Sequence, residues 1–215
     1  TQLKNIAIVG AGGFGKETLV MLRQINAINR HWNIVGYYDD GLPSGATVAG
    51  LPVLGNVDAL NDINKQLAVV IAVGNPRIKK SIVDRIKNKS IFFPSLIHPS
   101  ATIGENINLG RGSVITAGCR LTIDIGMGDF VLLNLNTTVG HDVTIGAFTS
   151  VMPGVHLSGH VNIDDEVLIG TGASVLQNVR IGKGAIVGAG AVVNQNVKGN
   201  CTVVGVPART VKNHD

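Results

Sequence analysis

Every sixth residue from Ile97 to Val193 is apolar. The series runs Ile97, Ile103, Leu109, Ile115, Leu121, Met127, Leu133, Val139, Ile145, Val151, Leu157, Ile163, Ile169, Val175, Ile181, Val187 and Val193. With 45% of the chain hydrophobic, an unbroken run of that length has a chance probability of about one in a million in a given phase. The residue four places further on is small or β-branched, from Ala101, Ile107, Ser113 and Cys119 through to Ala191 and Val197, and glycine often follows the apolar residue, as at Gly104, Gly110, Gly140 and Gly170. A period of six suits neither an α-helix nor one long strand. It suits a short strand and a corner, repeated. Three such units make a triangular coil of about 18 residues, and successive coils pair as parallel strands about 4.8 Å apart. Both registers then face the interior. The phase holds without insertion for about six coils, runs out near Gly199, and is followed by a closing Gly205-Val206-Pro207-Ala208-Arg209.

Composition agrees with many short strands joined by tight turns, since aromatics make up only 4% of the chain and there are 28 glycines. The formal charge of +4 is compatible with anionic small ligands and too small and dispersed to argue for nucleic acid. Cys119 and Cys201 lie far apart with no CxxC, so neither a disulfide framework nor zinc spacing is visible. No leader pattern and no stretch of transmembrane length is present, and the expectation is a soluble cytoplasmic protein without a membrane partner.

Residues 1–95 read differently from residues 96–215. Lys4 to Val9 is a buried strand, Gly10-Ala11-Gly12-Gly13-Phe14-Gly15 a glycine loop, and about Lys16 to Asn29 a helix. A second strand, Asn33 to Tyr38, ends at Asp39-Asp40; a third, Ala68 to Val73, ends at Gly74-Asn75-Pro76-Arg77 and leads into a helix over about Arg77 to Asn88. This alternation predicts a small Rossmann-like parallel sheet. The glycine loop admits several readings. Gly10, Gly12 and Gly15 satisfy the dinucleotide pattern, but the segment is about half a full dinucleotide domain. Gly10 to Lys16 approaches a P-loop, but Glu17 stands where a magnesium-binding hydroxyl belongs. Backbone N–H groups at a helix start would also cradle the diphosphate of a nucleotide-linked sugar. A tight strand-to-helix turn without any ligand is the plain alternative.

The two halves together resemble bacterial sugar acyltransferases of the sialic acid O-acetyltransferase type. Within that group they are most similar to N-acetyltransferases of nucleotide-linked 4-amino-4,6-dideoxysugars. The resemblance is carried by Gly10 to Gly15, Asp39-Asp40, Gly74-Asn75 with Arg77, His98-Pro99-Ser100-Ala101, Leu133-Asn134, His141-Asp142 and Gly205 to Arg209. It implies a left-handed β-helix, a homotrimer, and acetyl-CoA held between neighbouring β-helices, with cofactor contacts at Ser150, Gly159, Thr171, Ala189 and Arg209. It implies a nucleotide-sugar site formed by Gly12, Gly13, Phe14, Asp39, Asp40, Asn75 and Arg77, with Asn134 a candidate to position the sugar. The family often has histidine at Phe14, glutamate at Asp142 and, in some members, a second histidine at Ser150. In this light the diphosphate cradle leads among the readings of the glycine loop.

Amide formation from a thioester needs a deprotonated amine, and histidine is the usual base near neutral pH. His31 and His214 lie outside any motif, and His98 opens the first coil in a run that reads as a junction. His141 falls third in its hexapeptide, at a corner and pointing outward; a lone corner histidine is ordinarily a solvated side chain, and the family motif makes it the catalytic base. The coil places Gly159 beside His141 and His160 beside Asp142. Gly159 leaves room for a thioester and exposes an N–H that can serve as oxyanion donor. Asp142 either orients His141, its role in the family, or pairs with His160. The chemistry expected is direct acetyl transfer from acetyl-CoA to the amine of a nucleotide-linked amino sugar, without a metal. The competing expectations are O-acetylation of a sugar such as sialic acid, and a non-catalytic β-helical assembly protein that senses a nucleotide.

Overall fold

The computed structural model describes residues 3–214. The chain folds as two compact units that divide between Pro94 and Ser95.

The first unit is a six-stranded sheet with two helices. Its strands are β1 (Lys4–Val9), β2 (Trp32–Tyr38), β3 (Thr47–Val48), β4 (Leu51–Gly55), β5 (Leu67–Ile71) and β6 (Ile91–Phe92). Their order is β3-β4-β2-β1-β5-β6, parallel except for the antiparallel pair of β3 and β4, a hairpin with no sequence expectation behind it. Ile6 to Val9 and Leu67 to Ile71 are buried without alternation, as strands covered on both faces must be. From β1 the chain passes to β2 on one side and later to β5 on the other. The loops after β1 and β5 therefore open side by side at a topological switch point, where open parallel sheets bind ligands.

Helix α1 (Gly13–Ile28) begins three residues before the expected Lys16. Two glycines make this possible. Gly10 has φ +98°, and a side chain on Gly15 would collide with the Gly10 carbonyl, so helix and strand approach backbone to backbone. Helix α2 (Pro76–Arg85) starts on an Asn75 cap, whose Oδ1 accepts from the N–H groups of Arg77 and Ile78, with proline in the first turn. It ends before the expected Asn88. The Asn61 side chain accepts from the N–H groups of Lys87 and Asn88, drawing the chain out of the helix.

The second unit is a parallel β-helix. Leu121 pairs with Val139, Met127 with Ile145 and Leu133 with Val151, each 18 residues apart as the period requires. One face is an eight-stranded sheet. The other two faces are joined in a nine-stranded sheet, because the strands Thr102–Leu109 and Arg120–Met127 continue around a corner. The interior is a column of buried Ile, Leu and Val with Ala, Cys and Thr between them. Two of the interior hydroxyls find backbone acceptors: Thr137 Oγ1 donates to the Asn134 carbonyl at 2.6 Å and Thr149 Oγ1 to that of Asp164 at 3.0 Å. Cys119 lies fully buried among them, where burial pushes its thiol up and leaves it no role as a nucleophile.

The ends depart from the ideal period. Ile97 and Ile103 are 37% and 36% exposed, because an end coil has a stacked neighbour on one side only. At the other end Ile181 pairs with Val197 and Val187 with Val203, two residues short of the repeat. The final coil is thus tightened, and Cys201–Val204 joins the stack before Arg209–Asn213 returns antiparallel to it.

Candidate active site

The chemistry-bearing residues come together because corners stack. At one corner Ile123, His141, Gly159 and Gln177 succeed one another coil by coil, and Asp124, Asp142, His160 and Asn178 form the adjoining column. Backbone bonds lock the columns: Asp142 N–H donates to Ile123 O at 3.2 Å, His160 to His141 O at 2.9 Å, and Asn178 to Gly159 O at 3.1 Å. The second column is left-handed throughout, with φ of 54°, 56°, 56° and 61°. Asp, His and Asn are among the few side chains that tolerate this conformation. The corner geometry thus selects short polar residues at the positions beside His141.

His141 Nδ1 lies 2.7 Å from Asp142 Oδ2. A carboxylate can only accept, so Nδ1 donates to it, and in the neutral imidazole that leaves the lone pair on Nε2. Nε2 faces Gly159: a Cβ on that glycine would stand 2.5 Å from both Nε2 and Cε1. His160 Nε2 is 3.7 Å from the same Asp142 oxygen, and its ring meets that of His141 edge-on with centroids 5.0 Å apart. Of the two pairings open to Asp142, the one with His141 is made at hydrogen-bond distance. His141, Gly159, His160, Gln177 and Asn178 line a cleft of about 250 Å³. Asn178 had no expectation attached to it, although its place 18 residues after His160 was the available signal.

The cofactor candidates are more scattered. Thr171 and Ala189 are exposed and share a column, but on the corner that precedes that of Gly159 in the coil path. Ser150 has no exposed surface, so it cannot touch a surface ligand and departs from the expected contact. Arg209 is exposed in the terminal hairpin, where its Nη1 donates to Ala208 O at 2.8 Å. Asn134 is 8% exposed, and its Oδ1 accepts from the Leu135 N–H at 2.8 Å; it is not one of the residues that line the cleft at His141. His98 is buried, with Nδ1 2.8 Å from Ser100 Oγ and accepting from Ser100 N–H at 3.0 Å; burial holds its imidazole below the ordinary histidine range. It builds the first turn of the β-helix.

In the first unit the glycine loop and Asn75 lie at the switch point. Gly12 and Gly13 are exposed, and a Cβ on either would meet nothing within 4 Å. Neither has the left-handed backbone that demands glycine. Phe14 is half-buried in the first turn of α1. Asp39 supports the loop: Oδ2 accepts from Ala11 N–H at 2.7 Å and Oδ1 from Gly41 N–H at 2.8 Å. Asp40 is committed elsewhere. It pairs with Arg85 at 2.6 Å and accepts from Val57 N–H at 3.0 Å, and the Arg85 hydrogen bond holds its carboxyl below the usual carboxylate range. Arg77 is exposed just inside the start of α2.

A β-helix of hexapeptides with a histidine–carboxylate pair at a stacked corner defines the class of hexapeptide-repeat transferases. Residues 5–86 match the PglD N-terminal domain, and residues 160–195 match the bacterial transferase hexapeptide repeats. The acetyltransferase domain of PglB from Neisseria gonorrhoeae, solved with acetyl coenzyme A, is 35% identical with a TM-score of 0.86, over 98% of this chain and 100% of that one. PerB from Caulobacter crescentus, solved with CoA and GDP-perosamine, is 28% identical with a TM-score of 0.86, over 97% and 98% of the two chains. The UDP-N-acetylbacillosamine N-acetyltransferase of Bacillus subtilis is 31% identical over 119 residues, which are 54% of this chain and about half (52%) of that protein. The chain belongs to the PglD-type family of hexapeptide-repeat acetyltransferases, and its relatives include N-acetyltransferases of nucleotide-linked amino sugars.

Proposed function

We propose that this protein transfers the acetyl group of acetyl-CoA to the amine of a nucleotide-linked amino-dideoxysugar, a 4-amino-4,6-dideoxysugar by resemblance, in the biosynthesis of a surface glycan. The observation that carries the reading is the His141 imidazole, held by Asp142 through Nδ1 with its Nε2 lone pair over the empty face of Gly159. The amine attacks the thioester carbonyl while Nε2 takes its proton. The C–N bond forms, and negative charge gathers on the carbonyl oxygen. The Gly159 N–H, which donates to no backbone carbonyl among the described residues, is the candidate oxyanion donor. The intermediate collapses with loss of the CoA thiolate, which recovers the proton from the imidazolium. General-base help of this kind is worth about 10²–10⁴-fold.

The nucleotide belongs to the loop at Gly12, Gly13 and Phe14. Glycines that the chain's own packing does not require suit a ligand that approaches the backbone. Asp39 holds that loop, and Asn75 and Arg77 flank it from the β5 side. Asp40 acts through Arg85 and not by direct contact. PglB and PerB hold acetyl-CoA or CoA, and PerB holds GDP-perosamine, which supports both ligands here. Thr171 and Ala189 stand on another corner than Gly159, so a homotrimer that sets the corner of one subunit against that of the next accounts for both groups of cofactor residues. A reaction that consumes acetyl-CoA and a nucleotide-linked sugar is in keeping with a cytoplasmic location. Replacing His141 by Asn tests the assignment. Acetyl transfer should fall at least about 10²-fold with melting temperature and CoA binding unchanged, and near wild-type turnover would refute it.

A further inference from the structure

Beyond acid–base work, the same corner gathers ligands for a metal. His141, Asp142 and His160 form the one group of three or more His, Cys, Asp or Glu side chains among the described residues whose ligand atoms lie within 4.8 Å of one another. Two imidazoles and a carboxylate are a donor set that suits borderline divalent ions, zinc among them. A tetrahedral ion with bonds near 2.0–2.1 Å needs its ligand atoms about 3.3 Å apart. Asp142 Oδ2 stands 2.7 Å from His141 Nδ1 and 3.7 Å from His160 Nε2, on either side of that value. All three side chains are about half exposed, so small rotations bring them to it. Their backbones are fixed by the corner bond from His160 N–H to His141 O at 2.9 Å. The carboxylate offers the ion one oxygen and the cleft leaves its fourth position open.

We propose that this corner binds a zinc ion, and that the ion reversibly switches the enzyme off. The second half of the statement rests on His141 being the base. The argument is one of tautomers. In the working state the proton sits on Nδ1, toward Asp142, and the Nε2 lone pair faces Gly159. Zinc needs the Nδ1 lone pair. The neutral ring must then carry its proton on Nε2, where it blocks proton acceptance without filling the cleft. No net proton is consumed and the ring stays neutral. His160 completes the site through the ring nitrogen nearer Asp142.

Cobalt(II) chloride, a coloured stand-in for zinc, would be titrated into the full chain, wild type and His160→Asn, and zinc chloride into turnover assays. Asparagine tolerates the left-handed backbone at position 160, φ 56°, and keeps the corner bond. The expected result is one equivalent of visible-region cobalt absorption per chain, displaced by zinc, and weakened in the variant, which loses a direct ligand, by more than the roughly 10–100-fold that loss of an outer-shell partner costs. Zinc should lower turnover with the same concentration dependence, and a chelator should restore it. Cobalt absorption identical in the two proteins, or absent from both, would overturn the site while leaving the role of His141 intact. Stoichiometric binding with undiminished turnover would overturn the switch, and turnover of His141→Asn in the same assay says separately whether the base assignment stands.

Discussion

Gly159 offers a sharp test of how the base is seated. A Cβ there would stand 2.5 Å from both Cε1 and Nε2 of His141. Ordinary carbon contacts begin at about 3.5 Å. In Gly159→Ala the imidazole must therefore retreat by about 1 Å, and a misplacement of that size can cost about 10²-fold in rate. Stability should hardly change. Gly159 is not among the positive-φ residues, so alanine fits its backbone, and the His141 side chain is 56% exposed and free to swing outward. The assay is release of the CoA thiol, followed with a thiol reagent, with acetyl-CoA and a panel of GDP-, UDP- and dTDP-linked 4-amino-4,6-dideoxysugars as acceptors. The account predicts a kcat loss of about 10²-fold with an unchanged melting temperature. Wild-type kcat in a folded Gly159→Ala protein would refute the argument that Nε2 works over the face of this glycine.

Other consequences can be checked on the first unit. Gly13 is the first residue of α1 and its Cβ position is open. Alanine in place of helical glycine stabilises by roughly 0.5–1 kcal/mol, so Gly13→Ala should melt no lower than wild type while binding nucleotide sugars about tenfold more weakly, a loss of about 1.4 kcal/mol; unchanged affinity by calorimetry would remove the loop from the ligand site. Lys79 is 2% exposed, and burial lowers its pKa from 10.5 to about 7. Between pH 7 and 10 the unfolded chain holds a proton there that the folded chain has lost, so this group makes stability rise with pH across that window. Lys79→Met should be more stable at pH 7 by up to a few kcal/mol and should flatten the rise. Urea unfolding at pH 7 and 9.5 reads both, and parallel pH slopes for the two proteins would show that Lys79 is not the cause.

How much of this was legible in the sequence varies with the physical signal. The β-helix was, because an 18-residue register is a constraint that every coil repeats. So was the meeting of His141 with Gly159 and of Asp142 with His160, which follows from counting alone. The ends of the solenoid were not: the tightened last coil is a local choice of backbone path that Ile181 and Val197 do not announce. In the first unit, the strands showed as apolar runs, whereas the end of α2 depended on Asn61, a side chain distant in sequence that captures the N–H groups of Lys87 and Asn88. The pairing of Asp40 with Arg85 is equally long-range, and it engages a candidate nucleotide-sugar contact in an ion pair within the unit. Ser150 and Asn134 were placed by resemblance, and their burial comes from packing that the six-residue period does not encode.

The central claim is that the acceptor atom is an amine deprotonated at His141. The most direct measurement compares a nucleotide-linked 4-amino-4,6-dideoxysugar with its 4-hydroxy analogue as acceptors for the same enzyme, with products identified by mass spectrometry and CoA release followed in parallel. The account predicts acetylation of the amino sugar at the amine and no product from the hydroxy analogue. Equal or faster acetylation of the hydroxy sugar, or no CoA release with any amino-sugar nucleotide, would contradict it.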